Sequence, residues 1–288
     1  MSERLPLAAG TRVGIFEIGA VASASGFGIL YYASDSRLER PVLLKEYFPA
    51  ELAIRIDGDA IAPMPGHDAM FRWGLTQWLG EARRLSRLTH PAVARIITYL
   101  EANDTAYTVL EAFDGVTLQT HLTELGRPLS EPEITRILRP LLDALQVMHA
   151  GNVIHRDVAA DTIAVTRDGR SLFIDLFAAC DVGTQHLEGE PAIVKHGTSP
   201  PEQYTSDRSF IGPWTDIYAV GALLSRLMTG RSPPSAHERM IEDQLAAIAA
   251  QTGQSYSAVL ADSTAQCLML LPKQRPQSIA MLRSMLAL

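Results

Sequence analysis

The chain is short of several things that would have placed it in a class at once. Its only cysteines are Cys180 and Cys267. Two cysteines far apart in sequence argue against a disulfide framework and fit reduced thiols in a cytoplasmic setting. Positive charge is in deficit: 25 Lys and Arg stand against 32 Asp and Glu, a net charge of −7. That balance argues against an extended nucleic-acid or anionic-membrane surface. Long apolar runs are missing too. Ile217 to Leu224 is among the longest, well below the roughly 20 residues a membrane-spanning helix needs. Met1 to Gly10 has no apolar core of the signal-peptide kind. Neither an internal repeat nor a low-complexity tail is visible. What is present is 288 residues, enough for one large domain or two lobes, with an ordinary apolar content for a packed core.

The densest chemistry lies between His155 and Phe177, which reads HRDVAADTIAVTRDGRSLFIDLF. Two strand-like pieces, Thr162 to Thr166 and Ser171 to Ile174, flank the turn Arg167-Asp168-Gly169. A third short apolar piece precedes His155. Asp157 and Asp175 are therefore expected at the mouths of adjacent short strands, where a hairpin brings its ends together. Two such acids facing one small volume suit metal binding plus proton acceptance. Pairing for stability alone explains them poorly, because like charges repel.

The rest of the chain reads as punctuated strands and then helices. Val13 to Ile18 and Gly28 to Ala33 have strand composition. The small residues Gly19 to Gly26 between them predict a turn whose tip can approach a ligand closely. Val42-Leu43-Leu44-Lys45 is an apolar strand that ends on a cation. Ala50 to Gly66, polar and with two prolines, predicts a loop. Phe71 to Leu88 has helical spacing and stops before His90-Pro91. Val93 to Leu100 and Ala106 to Leu110 predict two more strands, broken by Glu111 to Gly115. Leu118 to Leu125 and Glu131 to Ala150 predict helices, the second opened by a Ser130–Glu133 capping box.

His155-Arg156-Asp157 followed by Asp175 resembles the catalytic loop and metal motif of eukaryotic-like protein kinases, and the pattern over nearly the whole chain is similar to bacterial Ser/Thr protein kinases. The resemblance implies an α+β, bilobal fold. A small, mainly β N-lobe with one long helix would span 1–110, a hinge 111–116, and a larger, mainly helical C-lobe 117–288. It implies ATP and Mg²⁺ as ligands, a protein partner or substrate, and a place in bacterial signalling. Carried over residue by residue, Lys45 holds the α/β-phosphates and pairs with Glu81. Gly26 and Gly28 belong to the loop over the phosphates, and Glu111 and Phe113 to the adenine-binding hinge. Asp157 is the base and Asp175 the metal ligand. Thr162 stands where the family has a second, amide ligand. Asp216 would hold the catalytic-loop backbone, and Glu202 would pair with Arg275.

The departures fall on chemistry. His155 to Thr162 reads HRDVAADT against the family's HRDxKPxN. Ala159 replaces the lysine that neutralises the transferred phosphoryl group, and Thr162 replaces the asparagine. In Ser23-Ala24-Ser25-Gly26-Phe27-Gly28, serines take two of the three glycine positions of GxGxxG. Asp175-Leu176-Phe177 replaces Asp-Phe-Gly, with Leu176 suited to the same apolar slot. Between Thr198 and Pro201-Glu202 only Ser199 and Pro200 intervene, where the family has about five residues. Losing one preorganised donor costs about 10²–10³ in rate. The sequence therefore points to a pseudokinase that binds ATP as a regulatory or scaffolding module. The alternative is a slow, divergent Ser/Thr kinase with Asp157 as base and Asp175 on Mg²⁺. Lys195 and Arg167 are cations that offer compensation for any one of the substitutions taken singly. His67, His121 and His149 lack metal-ligand spacing. Trp73 and Trp78 read as helix packing, and His155 as a core contact rather than a base.

Overall fold

The computed structural model describes residues 5–56, 58–85, 88–176, 178–181, 194–205, 207–243 and 255–288, the side chains of Glu81, Arg84, Leu85, Asp181 and Arg208 aside. The chain divides into two units, Met1–Asp114 and Gly115–Leu288.

Unit one is built on strands β1 (Arg12–Val13), β2 (Phe16–Ala24), β3 (Gly28–Asp35), β4 (Arg40–Tyr47), β7 (Ile96–Ala102) and β8 (Thr105–Glu111). They form one sheet in the order β1-β2-β3-β4-β8-β7. β4 lies between β3 and β8, and Val42 to Tyr47 are all buried. Coverage on both faces is why Val42-Leu43-Leu44 is a continuous apolar run and not an alternation. Lys45 sits opposite Leu30 on one side and Thr108 on the other. The expected Gly19–Gly26 turn is shorter than its composition suggested. β2 continues to Ala24, with two register shifts between Ile18 and Ser23 absorbing the small residues. Gly28 then enters β3, where a Cβ would stand 2.3 Å from the Glu46 carbonyl oxygen. Close strand packing thus demands this glycine without reference to any ligand.

The stretch Ala50 to Gly66 is not the loop its prolines and polarity predicted. It forms a hairpin of β5 (Ala53–Ile56) and β6 (Ala60–Pro63). A buried charge anchors it. Arg55 donates to the Glu46 carboxylate at 2.7 Å, with side chains only 6% and 0% exposed. The tyrosine hydroxyls of Tyr31 and Tyr107 each donate to the same carboxylate at 2.8 Å. Burial first, and then the Glu46 charge, raise both tyrosine pKa values, so both remain donors. Helix α1 (Asp68–Leu85) lies against β7 and β8, burying Phe71, Trp78 and Ala82.

Unit two begins with β9 (Gly115–Thr117), α2 (Leu118–Leu125) and α3 (Glu131–Ala150). The capping box is formed: Ser130 N donates to Glu133 Oε2 at 2.7 Å. β10 (Val153–Ile154), β11 (Ile163–Thr166), β12 (Ser171–Phe173) and β13 (Cys180–Asp181) follow. β11 and β12 make the predicted antiparallel hairpin, and β9 joins β11 on its other side. β10 pairs with β13 instead. Asp157 and Asp175 therefore do not leave neighbouring strands of a single hairpin, as the sequence pattern suggested. The centre of the unit is α4 (Pro213–Thr229), buried without a break from Thr215 to Ser225. Helices α5 (Ala236–Ile241), α6 (Ala258–Cys267) and α7 (Ile279–Met285) follow among the described residues. Both thiols are free and buried, and burial pushes Cys267 up to about 12. Among the described residues no helix is long and apolar enough to cross a membrane.

Arg55→Met tests the anchor in unit one. Removing one partner of a buried ion pair leaves the other uncompensated, at a cost of about 3 kcal/mol or more. Urea unfolding followed by tryptophan fluorescence is expected to show that loss, and a change below about 1 kcal/mol would contradict it.

Candidate active site

The catalytic-loop sequence is shaped from below. Asp216, in the first turn of α4, is fully buried. Its carboxylate accepts from His155 N at 2.9 Å and Arg156 N at 2.7 Å, and meets His149 Nε2 at 2.7 Å. Burial alone would raise its pKa. The His149 bond and charge and the His155 contacts outweigh burial and hold it below the usual carboxylate range. The clamp keeps Arg156 in the left-handed region at φ 65°, a conformation that costs a non-glycine residue about 1 kcal/mol or more. Gln203 Nε2 reinforces it by donating to the Arg156 carbonyl at 3.0 Å. His155 is fully buried against Phe173, ring centroids 4.4 Å apart. Burial pushes its pKa down to about 4, so it is neutral at pH 7 and packs as a core residue.

Asp157 emerges from this loop with its side chain 17% exposed. Burial pushes its pKa up to about 6, against the opposing pull of the Lys195 charge, and the charges of Asp161 and Asp175 add to the rise. Asp157 and Asp175 thus feel each other, although they come from different sheets. Lys195 Nζ lies 2.8 Å from Asp157 Oδ1 and 2.8 Å from Asp161 Oδ1. Of the two cations that sequence offered in place of Ala159, Lys195 is the one found at Asp157. Arg167 lies on the exposed β11–β12 turn. Asp161 was missed, because it occupies a position where the family pattern specifies no residue type.

Thr162 does loop work. Its hydroxyl oxygen lies 2.6 Å from the Asp157 carbonyl and 3.0 Å from the Ala159 carbonyl, and accepts from Ala159 N at 3.1 Å. A hydroxyl has one proton and two lone pairs, so the proton and one lone pair are spent on closing the turn. Asp175 follows β12, is half-buried, and precedes a buried Leu176. Phe177 lies outside the described residues.

In unit one Lys45 is buried, its Nζ 4.6 Å from the centre of the Trp78 ring. Trp78 therefore packs as expected and also presents its face to this ammonium, a contact with no signal in spacing. The side chain of Glu81 lies outside the described part. Gly26 faces open space. Glu111 closes β8, exposed, its N–H donating to the Arg95 carbonyl at 2.9 Å, and Phe113 is half-buried. Below the loop in unit two, Arg275 donates twice to Glu202, at 2.6 and 3.0 Å, a buried bidentate pair.

A profile of the protein kinase domain matches residues 67–286. The chain is 29% identical over 263 residues to the serine/threonine-protein kinase PknD of Mycobacterium tuberculosis, covering 88% of this chain and 36% of that protein. It is 28% identical over 219 residues to the serine/threonine-protein kinase PknL of Mycobacterium bovis, covering 75% of this chain and 49% of that protein. It thus spans half or less of the length of these curated relatives. Among solved structures, PpkA-294 in its apo form is similar with a TM-score of 0.85 and 34% identity, over 99% of this chain and 100% of that one.

Thr162→Val separates loop closure from metal binding. It removes a buried hydrogen-bond acceptor from Ala159 N and is expected to cost about 1–3 kcal/mol in metal-free buffer. Unchanged unfolding without metal would contradict the loop role.

Proposed function

Because the chain belongs to the protein kinase domain family, we propose that it is a slow Ser/Thr protein kinase, moving the γ-phosphoryl group of ATP to a hydroxyl of a protein substrate. The observation that carries this reading is the finished catalytic loop. Asp216 fixes the backbone on either side of the His155-Arg156 bond, and Asp157 stands on it partly open, with a pKa near 6. A base works best with its pKa close to the operating pH. In the step, the substrate hydroxyl gives its proton to the Asp157 carboxylate. Its oxygen bonds to the γ-phosphorus, the bond from that phosphorus to the bridging oxygen breaks, and ADP leaves with that electron pair.

The nucleotide side of the proposal follows the family resemblance. Lys45 meets the α/β-phosphates with Glu81 behind it, Gly26 and Gly28 line the loop over them, and Glu111 and Phe113 flank the base. Mg²⁺ would be held by Asp175, a hard oxygen ligand of the kind it takes, and when bound supplies charge neutralisation at the phosphates. Thr162 fits that task poorly, its hydroxyl being engaged in the loop. A site with one carboxylate in place of two ligands explains a slow rate and not an absent one.

The engaged Thr162 also favours a second reading, a pseudokinase that binds ATP and serves a protein partner as a regulatory or scaffolding module. γ-labelled ATP with Mg²⁺ or Mn²⁺ decides between them. Transfer to protein is expected to fall about 10²–10⁴-fold in Asp157→Asn. The rate is expected to drop as pH falls through about 6, because protonation removes the base. Label that persists in the variant would contradict the kinase reading. So would no label at all, and ATP-induced thermal stabilisation in that case would favour the scaffold.

A further inference from the structure

Ala159 leaves no cation two residues after the base, where the family pattern has lysine. We propose that Lys195 supplies that charge from another segment: it is a positioning residue that keeps the Asp157 carboxylate aimed and electrostatically balanced. This rests on the kinase reading above.

The contact is a built one. The ammonium lies within 3.0 Å of both Asp157 oxygens and both Asp161 oxygens. Its side chain is 34% exposed, so most of the stem is covered. The backbone that delivers it is fixed by a tight turn. The Lys195 carbonyl accepts from Thr198 N at 3.2 Å and Ser199 N at 3.0 Å, and Lys195 N donates to Ser199 Oγ at 2.8 Å. Gly197 sits in that turn at φ +78°, where a Cβ would come within 2.6 Å of the Pro233 carbonyl oxygen. The turn therefore needs this glycine twice over, for its dihedral and for its space. Asp161 gives the ammonium a second acceptor and limits where it can point. An ammonium has three protons, and the four carboxylate oxygens share them.

An ordinary surface ion pair contributes about 0–1 kcal/mol to stability and nothing specific to turnover. A charge that balances the base is read in rate. Its loss is expected to cost about 10²–10³ in kcat, the range seen for one preorganised electrostatic donor. It leaves the KM for ATP and the melting temperature nearly unchanged. The charge can also be put back where the family has it. Ala159 is buried beside the same loop, so Lys195→Ala combined with Ala159→Lys returns an ammonium to the base from a different backbone position.

The experiment measures Asp157-dependent phosphate transfer, ATP titration and thermal melting on five proteins: wild type, Asp157→Asn, Lys195→Met, Lys195→Gln, and Lys195→Ala with Ala159→Lys. The expected result is a folded, ATP-binding Lys195→Met with kcat down at least 100-fold, and a double variant at least 10-fold faster than it. Lys195→Gln keeps a stem and a donor without charge, and takes the place of Lys195→Met if that variant melts early. Wild-type kcat in either folded single variant overturns the proposal. So does a folded double variant that shows no recovery. No Asp157-dependent transfer in the wild type instead overturns the kinase reading itself, an outcome told apart by the wild type and Asp157→Asn before any lysine variant is compared.

Discussion

The loop that carries Asp157 depends on one buried carboxylate. Asp216 has no exposed surface, and it survives there because three donors meet it. Bonds of this charge-assisted kind are about twice as strong as neutral ones. They offset the left-handed backbone at Arg156, which no local preference would choose. The position of Asp157 follows, since it is the next residue. So does that of the Thr162 hydroxyl, which closes the same loop from its far end. The interaction is thermodynamic in origin, yet its product is a geometry.

The departures from the family pattern do not all act in the same way. Leu176 is buried at 2% exposure and fills an apolar slot. Thr162 has taken up loop closure, so it preserves the shape of the site while giving up most of its capacity to ligate. Gly28 is held by the approach of β3 to β4 and would be needed in a chain that never met a nucleotide. Retention and loss are thus poor guides to activity when taken alone. What separates them is whether the surrounding bonds already account for the residue.

Much of this was legible in the sequence, for reasons that can be named. Asp216, Glu202 and Arg275 sit in motifs whose partners lie at long but fixed distances in the family, and their bonds are formed. The helix α3 announced its start by Ser130 and Glu133. The hairpin β5–β6 was hidden because its strands are 4 residues each and the second ends on a proline. Its anchor, Arg55, finds Glu46 through burial and not through spacing. The pairing of β10 with β13 joins segments more than a hairpin apart, so local alternation carried no trace of it. Lys195 reaches Asp157 across 38 residues. Sequence could nominate it as a charge and could not rank it above Arg167.

At the open end of that loop a lysine ammonium is lodged between Asp157 and Asp161. ¹⁵N-edited NMR of the lysine side chains observes it directly. The account predicts a Lys195 ammonium signal protected from solvent exchange, which shifts and loses protection in Asp157→Asn. A Lys195 signal exchanging as fast as an exposed lysine, and indifferent to Asp157→Asn, would contradict it.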